Sequence, residues 1–215
     1  MKYIYLIKHA GPFVDIKNYE KYDTTEEVLW EDFNRNMILS VEGEKRASSL
    51  CDLDELLNVD RIFASDSARA IATAKYLSES NNKKIELDAR INERKFGVDY
   101  LKELPIDFNK LSFDDKNYKM PNGESFNDVD SRFNEFVIDL LNQENSEKSV
   151  IIMHGLILLS YLETICKFSF YGQKFNIEYN GKTILDGNPK SPSVYKITFN
   201  NEKEVIDVEK IEIDI

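Results

Sequence analysis

The chain has 215 residues, 42% hydrophobic and 31% charged, and 28 Lys and Arg stand against 39 Asp and Glu for a formal net charge of −11. The length suits one domain, residues 1–215, with a substantial core. The acidic balance argues against a nucleic-acid-binding surface, which would be basic, and any anion site must be a local cluster of positive charge.

No apolar run reaches the roughly 18 residues of a membrane span, so no membrane partner is expected. The opening Met1-Lys2-Tyr3-Ile4 runs into a short strand-like stretch with no A-x-A-like cleavage site, which argues against a signal peptide. Cys51 and Cys166 form no C-x-x-C pair. They read as two buried thiols of a reducing, cytoplasmic protein. Oligomeric state is not legible.

In chain order, Lys2 to Lys8 reads as the first strand, followed by a polar and aromatic stretch from Pro12 to Met37 that holds Trp30, the only tryptophan. Its aromatics suit a lid or outer core. Ser40 caps a helix from Val41 to about Leu50. Arg61 to Ser65 reads as a short buried strand, and Asp66 or Ser67 starts a helix to about Ser78 with Ala70, Ile71, Ala74 and Leu77 on one face. Lys84 to Leu87 alternates as a third strand, and Arg94 to Met120 reads as loop or short helices over the sheet. Ser125 to Asp128 resembles a capping box opening a helix to about Asn142. Val150 to His154 reads as a strand and Leu156 to about Lys167 as an apolar helix. Ser193 to Phe199 and Val205 to Ile213 read as an antiparallel pair. Strands alternating with helices predict a three-layer α/β/α sandwich with a mostly parallel central sheet.

Both histidines of the chain close an apolar strand and enter a small-residue turn: His9 before Ala10-Gly11, and His154 before Gly155. Ligands of open α/β sheets gather at the carboxyl ends of strands, so the two imidazoles can share one pocket. Lys8, next to His9, and Arg69 and Glu93, each just past a strand end, join them as candidates. Arg69 falls in the first turn of a helix, where backbone N–H groups also favour anions.

These residues carry a resemblance. Lys8-His9-Ala10, Leu39 through Ala47, Ser65 through Ala74, Glu93 through Gly97, Pro121-Asn122-Gly123-Glu124-Ser125 and His154-Gly155 follow the order of motifs in the histidine phosphatase superfamily, the phosphoglycerate mutase-like proteins. The resemblance implies that fold and a metal-independent phosphomonoester hydrolase without cofactor. His9 would be the nucleophile, forming a phosphohistidine. Arg69, Lys8, His154 and the Gly155 N–H would bind phosphate. Glu93 would be the acid that protonates the leaving oxygen and the base that activates water. Positive charge from Lys8 and Arg69 should keep His9 neutral. The substrate would be a small-molecule phosphomonoester or a phosphoprotein, and segments 11–37 and 98–121 would be lids.

Some positions depart from the motifs. Lys8 stands in place of an arginine, keeping charge but not the two-pronged grip on phosphate. Ala10 replaces a glycine, which costs on the order of 1 kcal/mol if the position needs positive φ. Pro12 offers no donor, and Asp15 would repel phosphate. Two alternatives therefore stay open: a catalytically weak member that binds a phospholigand or phosphoprotein, and a phosphomutase. The mutase reading is weakened by the short acidic region after Gly97. Arg46 and Arg132 are expected to be helix-surface ion-pair residues.

Overall fold

A computed structural model describes residues 1–13, 29–171 and 174–213. Its strands in chain order are β1 (Lys2–Lys8), β2 (Arg61–Ala64), β3 (Ile85–Leu87), β4 (Lys148–Met153), β5 (Lys167–Tyr171), β6 (Lys174–Tyr179), β7 (Lys182–Gly187), β8 (Ser193–Phe199) and β9 (Val205–Ile211). The central sheet runs in the order β3-β2-β4-β1-β8-β9. Its first four strands are parallel, and β8 is antiparallel to both β1 and β9. The mostly parallel sheet and the terminal antiparallel pair agree with the sequence pattern.

The helices are α1 (Trp30–Asn36), α2 (Val41–Ser48), α3 (Ala68–Asn81), α4 (Phe108–Asp114), α5 (Phe126–Asn142) and α6 (Gly155–Ile165). Alternation along the strands divides the core into two layers. Tyr5, Ile7, Ile62, Val150 and Ile152 pack against Ala70, Ala74 and Leu77 of α3. Leu6, Phe63, Ile151 and Met153 pack against Phe133 and Phe136 of α5 and Ile157 and Leu158 of α6. Strands covered on both faces must be apolar throughout, as Val150-Ile151-Ile152-Met153 is.

Local signals hold where they were strongest. Ser40 accepts a hydrogen bond from the Gly43 N–H, and Ser125 and Asp128 close a full capping box on α5. Residues 94–120 contain a short 3-10 turn and α4, as expected of a loop with short helices. Trp30 stacks on Phe96 with ring centroids 6.0 Å apart. Asp15 and the central part of the proposed 11–37 lid lie outside the described residues.

Two readings are corrected. The apolar helix ends at Ile165, and Lys167 already begins β5, the first strand of a separate antiparallel sheet, β5-β6-β7. Sequence analysis assigned no element there, although Asn180-Gly181 is a strong two-residue hairpin signal. Both residues have positive φ, 48° and 80°, as the tight turn between β6 and β7 requires. The cysteines are free but only partly buried. Among the described residues, no helix is long and apolar enough to cross a membrane.

Candidate active site

The register of the sheet brings the candidate residues together. Lys8 pairs with Met153, the His9 N–H donates to the Met153 carbonyl at 2.9 Å, and the Ser65 N–H donates to the Ile152 carbonyl at 3.1 Å. The ends of β1, β2 and β4 are therefore level, and His9, Ser65 and His154 emerge side by side. The two imidazole rings lie 5.1 Å apart, tilted 65°.

His9 is 7% exposed. Its Nδ1 lies 2.8 Å from the Ala10 carbonyl, which can only accept, so the ring proton sits on Nδ1. That leaves the Nε2 lone pair free to accept from Arg69 Nε at 3.0 Å. The His9 pKa is lowered to about 3, by burial first and the Arg69 charge second. The bond to Ala10 opposes the shift, and Lys8 adds the smallest contribution. The neutral imidazole was expected from positive charge, but desolvation dominates.

Arg69 is the second residue of α3 and is 4% exposed. Its guanidinium bridges the histidines: Nε reaches His9, and Nη2 donates to His154 Nδ1 at 2.9 Å. The outer nitrogens are taken by Asn34 of α1, whose carbonyl accepts from Nη1 and whose Oδ1 accepts from Nη2 at 3.0 Å. His154 is the N-cap of α6 and is 1% exposed. With Nδ1 accepting from Arg69, its Nε2–H points at Ser65 Oγ (2.8 Å) and Ser67 Oγ (3.2 Å). Ser65 in turn donates to Asn92 Oδ1 at 2.9 Å. Burial, followed by the His9 and Arg69 charges, holds the His154 pKa well below 6.5.

Glu93 is fixed by backbone alone. Its carboxylate accepts from the N–H groups of Arg94 (3.0 Å), Leu156 (3.1 Å) and Ile157 (3.2 Å), the last two in the first turn of α6. Lys8 Nζ donates to the Pro189 carbonyl at 2.8 Å, and burial lowers its pKa against the opposing charge of Glu93. A Cβ on Gly155 would lie 3.6 Å from Lys8 Cε, so the two residues are in contact distance. Ala10 is fully buried, donates its N–H to Thr73 Oγ1 at 3.0 Å, and does not have positive φ. The alanine therefore carries no backbone strain. The turn after His9 is instead locked at Gly43, where an added Cβ would lie 2.0 Å from the Gly11 carbonyl oxygen.

Sequence reasoning assigned no role to Ser65, Ser67, Asn92 or Asn34. The serines lie inside the Ser65–Ala74 motif and were within reach. Asn34 meets Arg69 only in the folded chain. Arg132 makes the ion pair expected of it, gripping Glu124 with two bonds at 2.7 and 3.0 Å, but its side chain is 18% exposed rather than on the helix surface. It also donates to the Arg90 carbonyl at 2.7 Å, which ties α5 to the strand-end loop that carries Glu93. Arg46 is the exposed partner of Glu42, as expected.

Lys8, His9, Arg69, Glu93 and Gly155 open into one cavity of about 1080 Å³. Arg69 and Glu93 also line a second cavity of about 440 Å³, with Lys95, Glu124, Arg132 and His154. Among the described residues, no group of three or more His, Cys, Asp or Glu is placed to hold a metal ion.

Residues 30–200 match the histidine phosphatase superfamily (branch 1), and that match covers most of the chain. The chain belongs to this superfamily. The match begins after Lys8-His9-Ala10, so the place of His9 in the site rests on the geometry above. A 127-residue stretch is 32% identical to 6-phosphofructo-2-kinase/fructose-2,6-bisphosphatase of Caenorhabditis elegans, covering 56% of this chain and 27% of that protein. A probable phosphoglycerate mutase, GpmB, of Enterobacter sp. strain 638 is 24% identical over 147 residues, covering 63% of this chain and 66% of that protein. The chain thus spans less than two thirds of either relative. A mycobacterial glucosyl-3-phosphoglycerate phosphatase has the same fold, with a TM-score of 0.64, 18% identity, and coverage of 97% of this chain and 96% of that one. Bacillus stearothermophilus YhfR aligns with a TM-score of 0.66 and 21% identity over 95% of this chain and 94% of that one.

Proposed function

We propose that this protein is a phosphomonoester hydrolase that works without a metal ion, through a phosphohistidine on His9. The observation that carries the reading is the buried, neutral His9, whose unprotonated Nε2 faces the Arg69 guanidinium inside a large cavity. An incoming phosphoryl group takes the Arg69 N–H groups from Asn34 and from His9 Nε2, which frees that lone pair, and has the Lys8 ammonium and the Gly155 N–H as further donors. Nε2 attacks phosphorus, the P–O bond to the alcohol breaks, and Glu93 delivers the proton to the departing oxygen. Glu93 then takes a proton from water, which attacks phosphorus, breaks the N–P bond and releases inorganic phosphate. Charge on the equatorial oxygens is met by Arg69; His154, expected as a phosphate donor itself, has both ring nitrogens engaged and acts by holding Arg69 in place.

The substrate is a small phosphomonoester or a phosphoprotein, and the setting is cytoplasmic, which the free thiols fit. The chain acts as one domain, 1–215, with 11–37 and 98–121 as covers. Ile106, Asp107, Lys110, Phe113 and Asp114 of the second segment line the cavity and support that role. A binding-only member is the second reading. It is favoured by Lys8 in place of arginine and by Asn34 already filling Arg69. A mutase would differ by a long-lived phosphoenzyme and a need for a bisphosphate primer.

The test is phosphate release from a panel of phosphomonoesters with EDTA present, for wild type and His9→Ala. Turnover should persist in EDTA and fall by on the order of 10⁴ or more in the variant. Equal rates for the two proteins overturn the hydrolase reading in favour of a binding protein.

A further inference from the structure

The site accounts for the phosphoryl group but uses only a small part of its cavity. A volume of about 1080 Å³ is at the upper end of the roughly 300–1,000 Å³ of sites that enclose whole organic ligands. What lines the rest is mainly apolar. Leu156 and Leu159 of α6 face it, with Phe113 of α4 and Phe170 and Phe175 of the second sheet. The three phenylalanines form one cluster, with ring centroids 4.8, 4.9 and 5.3 Å apart. Trp30 and Met37 line the cavity from the α1 side, and Ile106, fully exposed, stands at its rim.

The charges point the same way. Beyond Lys8, His9 and Arg69, the ionisable described lining is Glu93, Asp107, Asp114 and Lys110, and Lys110 is paired with Asp114. Among the described residues of the lining, a second anionic group on a bound ester would meet carboxylates and one further cation, Lys110, already paired with Asp114. A bulky apolar group would displace water from aromatic surface.

Resting on the hydrolase reading above, we propose that the alcohol part of the preferred ester is a bulky apolar group, aryl or aralkyl, with no second anion. The wall that recognises it is Phe113, Phe170, Phe175 and Leu159, and β5 and β6 supply two of its three aromatic rings.

The test is a ladder of ethyl, butyl and phenethyl phosphate, with 3-phosphoglycerate alongside. All are esters of ordinary alcohols, so differences in leaving-group chemistry are small. kcat/KM should rise by about tenfold or more from ethyl to phenethyl, and 3-phosphoglycerate should fall below ethyl phosphate. Phe170→Ala should bring the phenethyl-to-ethyl ratio towards one. Ile106→Glu, at an exposed position that cannot unfold the core, should lower the same ratio. A flat ladder, or 3-phosphoglycerate as the fastest ester, overturns the proposal. If no ester is turned over, the hydrolase reading has failed and binding decides this one. Calorimetry with phenethylphosphonate against ethylphosphonate then supports the apolar wall if the former binds about tenfold tighter, and equal affinities overturn it.

Discussion

Around Arg69, each polar side chain is held by another: His9 and His154 by the guanidinium, the guanidinium by Asn34, His154 by Ser65, and Ser65 by Asn92. Around Phe170, side chains pack mainly ring against ring. The first region fixes atoms to within a hydrogen bond because displacing a buried polar group leaves its partner unsatisfied. The second fixes a volume and a surface, and tolerates changes of shape more readily. One region is therefore suited to a single chemistry, and the other to choosing among substrates of that chemistry.

The sharpest way to break this comparison is Arg69→Lys. An ammonium keeps the charge but cannot bridge His9 and His154. kcat/KM should fall by about 10²–10³-fold, while the phenethyl-to-ethyl ratio stays put. Steady-state kinetics on those two esters checks both statements. A ratio that collapses with the rate would mean the two regions are not separable.

Acid should separate them next. Both histidines have folded-state pKa values below the usual 6.5, with His9 at about 3. As pH falls below 6.5 the unfolded chain takes up protons that the folded chain refuses. The stability these neutral histidines contribute is thus complete above pH 6.5 and is lost as pH falls below it, for His9 down to about 3. The slope is about 1.4 kcal/mol per pH unit for each histidine. Urea midpoints at pH 7 and pH 5 should drop less for His9→Asn than for wild type. Phe170→Ala should leave the pH slope as it is, since that wall holds no histidine. An unchanged slope in His9→Asn would mean that His9 titrates normally in the fold.

The smallest expected effect is at Lys8→Arg. Lys8 is already tied to the Pro189 carbonyl and abuts Gly155. A guanidinium there must give up that fit, and a loss of about tenfold or less in kcat/KM is expected. A gain instead would mean that lysine leaves the native pocket short of its best phosphate grip, and would favour the binding-only reading.

How far the sequence reveals this molecule depends on how far apart the partners lie. Ser40, Ser125 and Asp128 act within a few residues of themselves, so their caps are readable as strings. His9 and His154 are readable as strand ends before small residues, and the ordered motifs then supply Arg69 and Glu93. Asn34 meets Arg69 across 35 positions, and Arg132 meets the Arg90 carbonyl across 42. No local pattern announces such pairings. The second sheet is a different kind of miss. An apolar run ahead of Lys167 favours extending the helix, while the Asn180-Gly181 turn argued for a hairpin all along. Burial was the remaining gap, because composition suggests charge as the cause of a neutral His9, and only the packed site shows desolvation to be larger.

The strands β5, β6 and β7 form a backbone ladder of their own, tied to the central sheet by the Tyr179 hydroxyl on the Val205 carbonyl, and make a single excursion of the chain between the end of α6 at Ile165 and the start of β8 at Ser193. Neither the central sheet nor the caps of α3 and α6 draw a strand from it. A gene encoding this chain can therefore exchange Lys167–Gly187 by recombination or insertion while keeping Pro189, which holds Lys8, and so leave the contacts of the phosphate site in place. For an engineer, the same seam is the place to graft a new specificity.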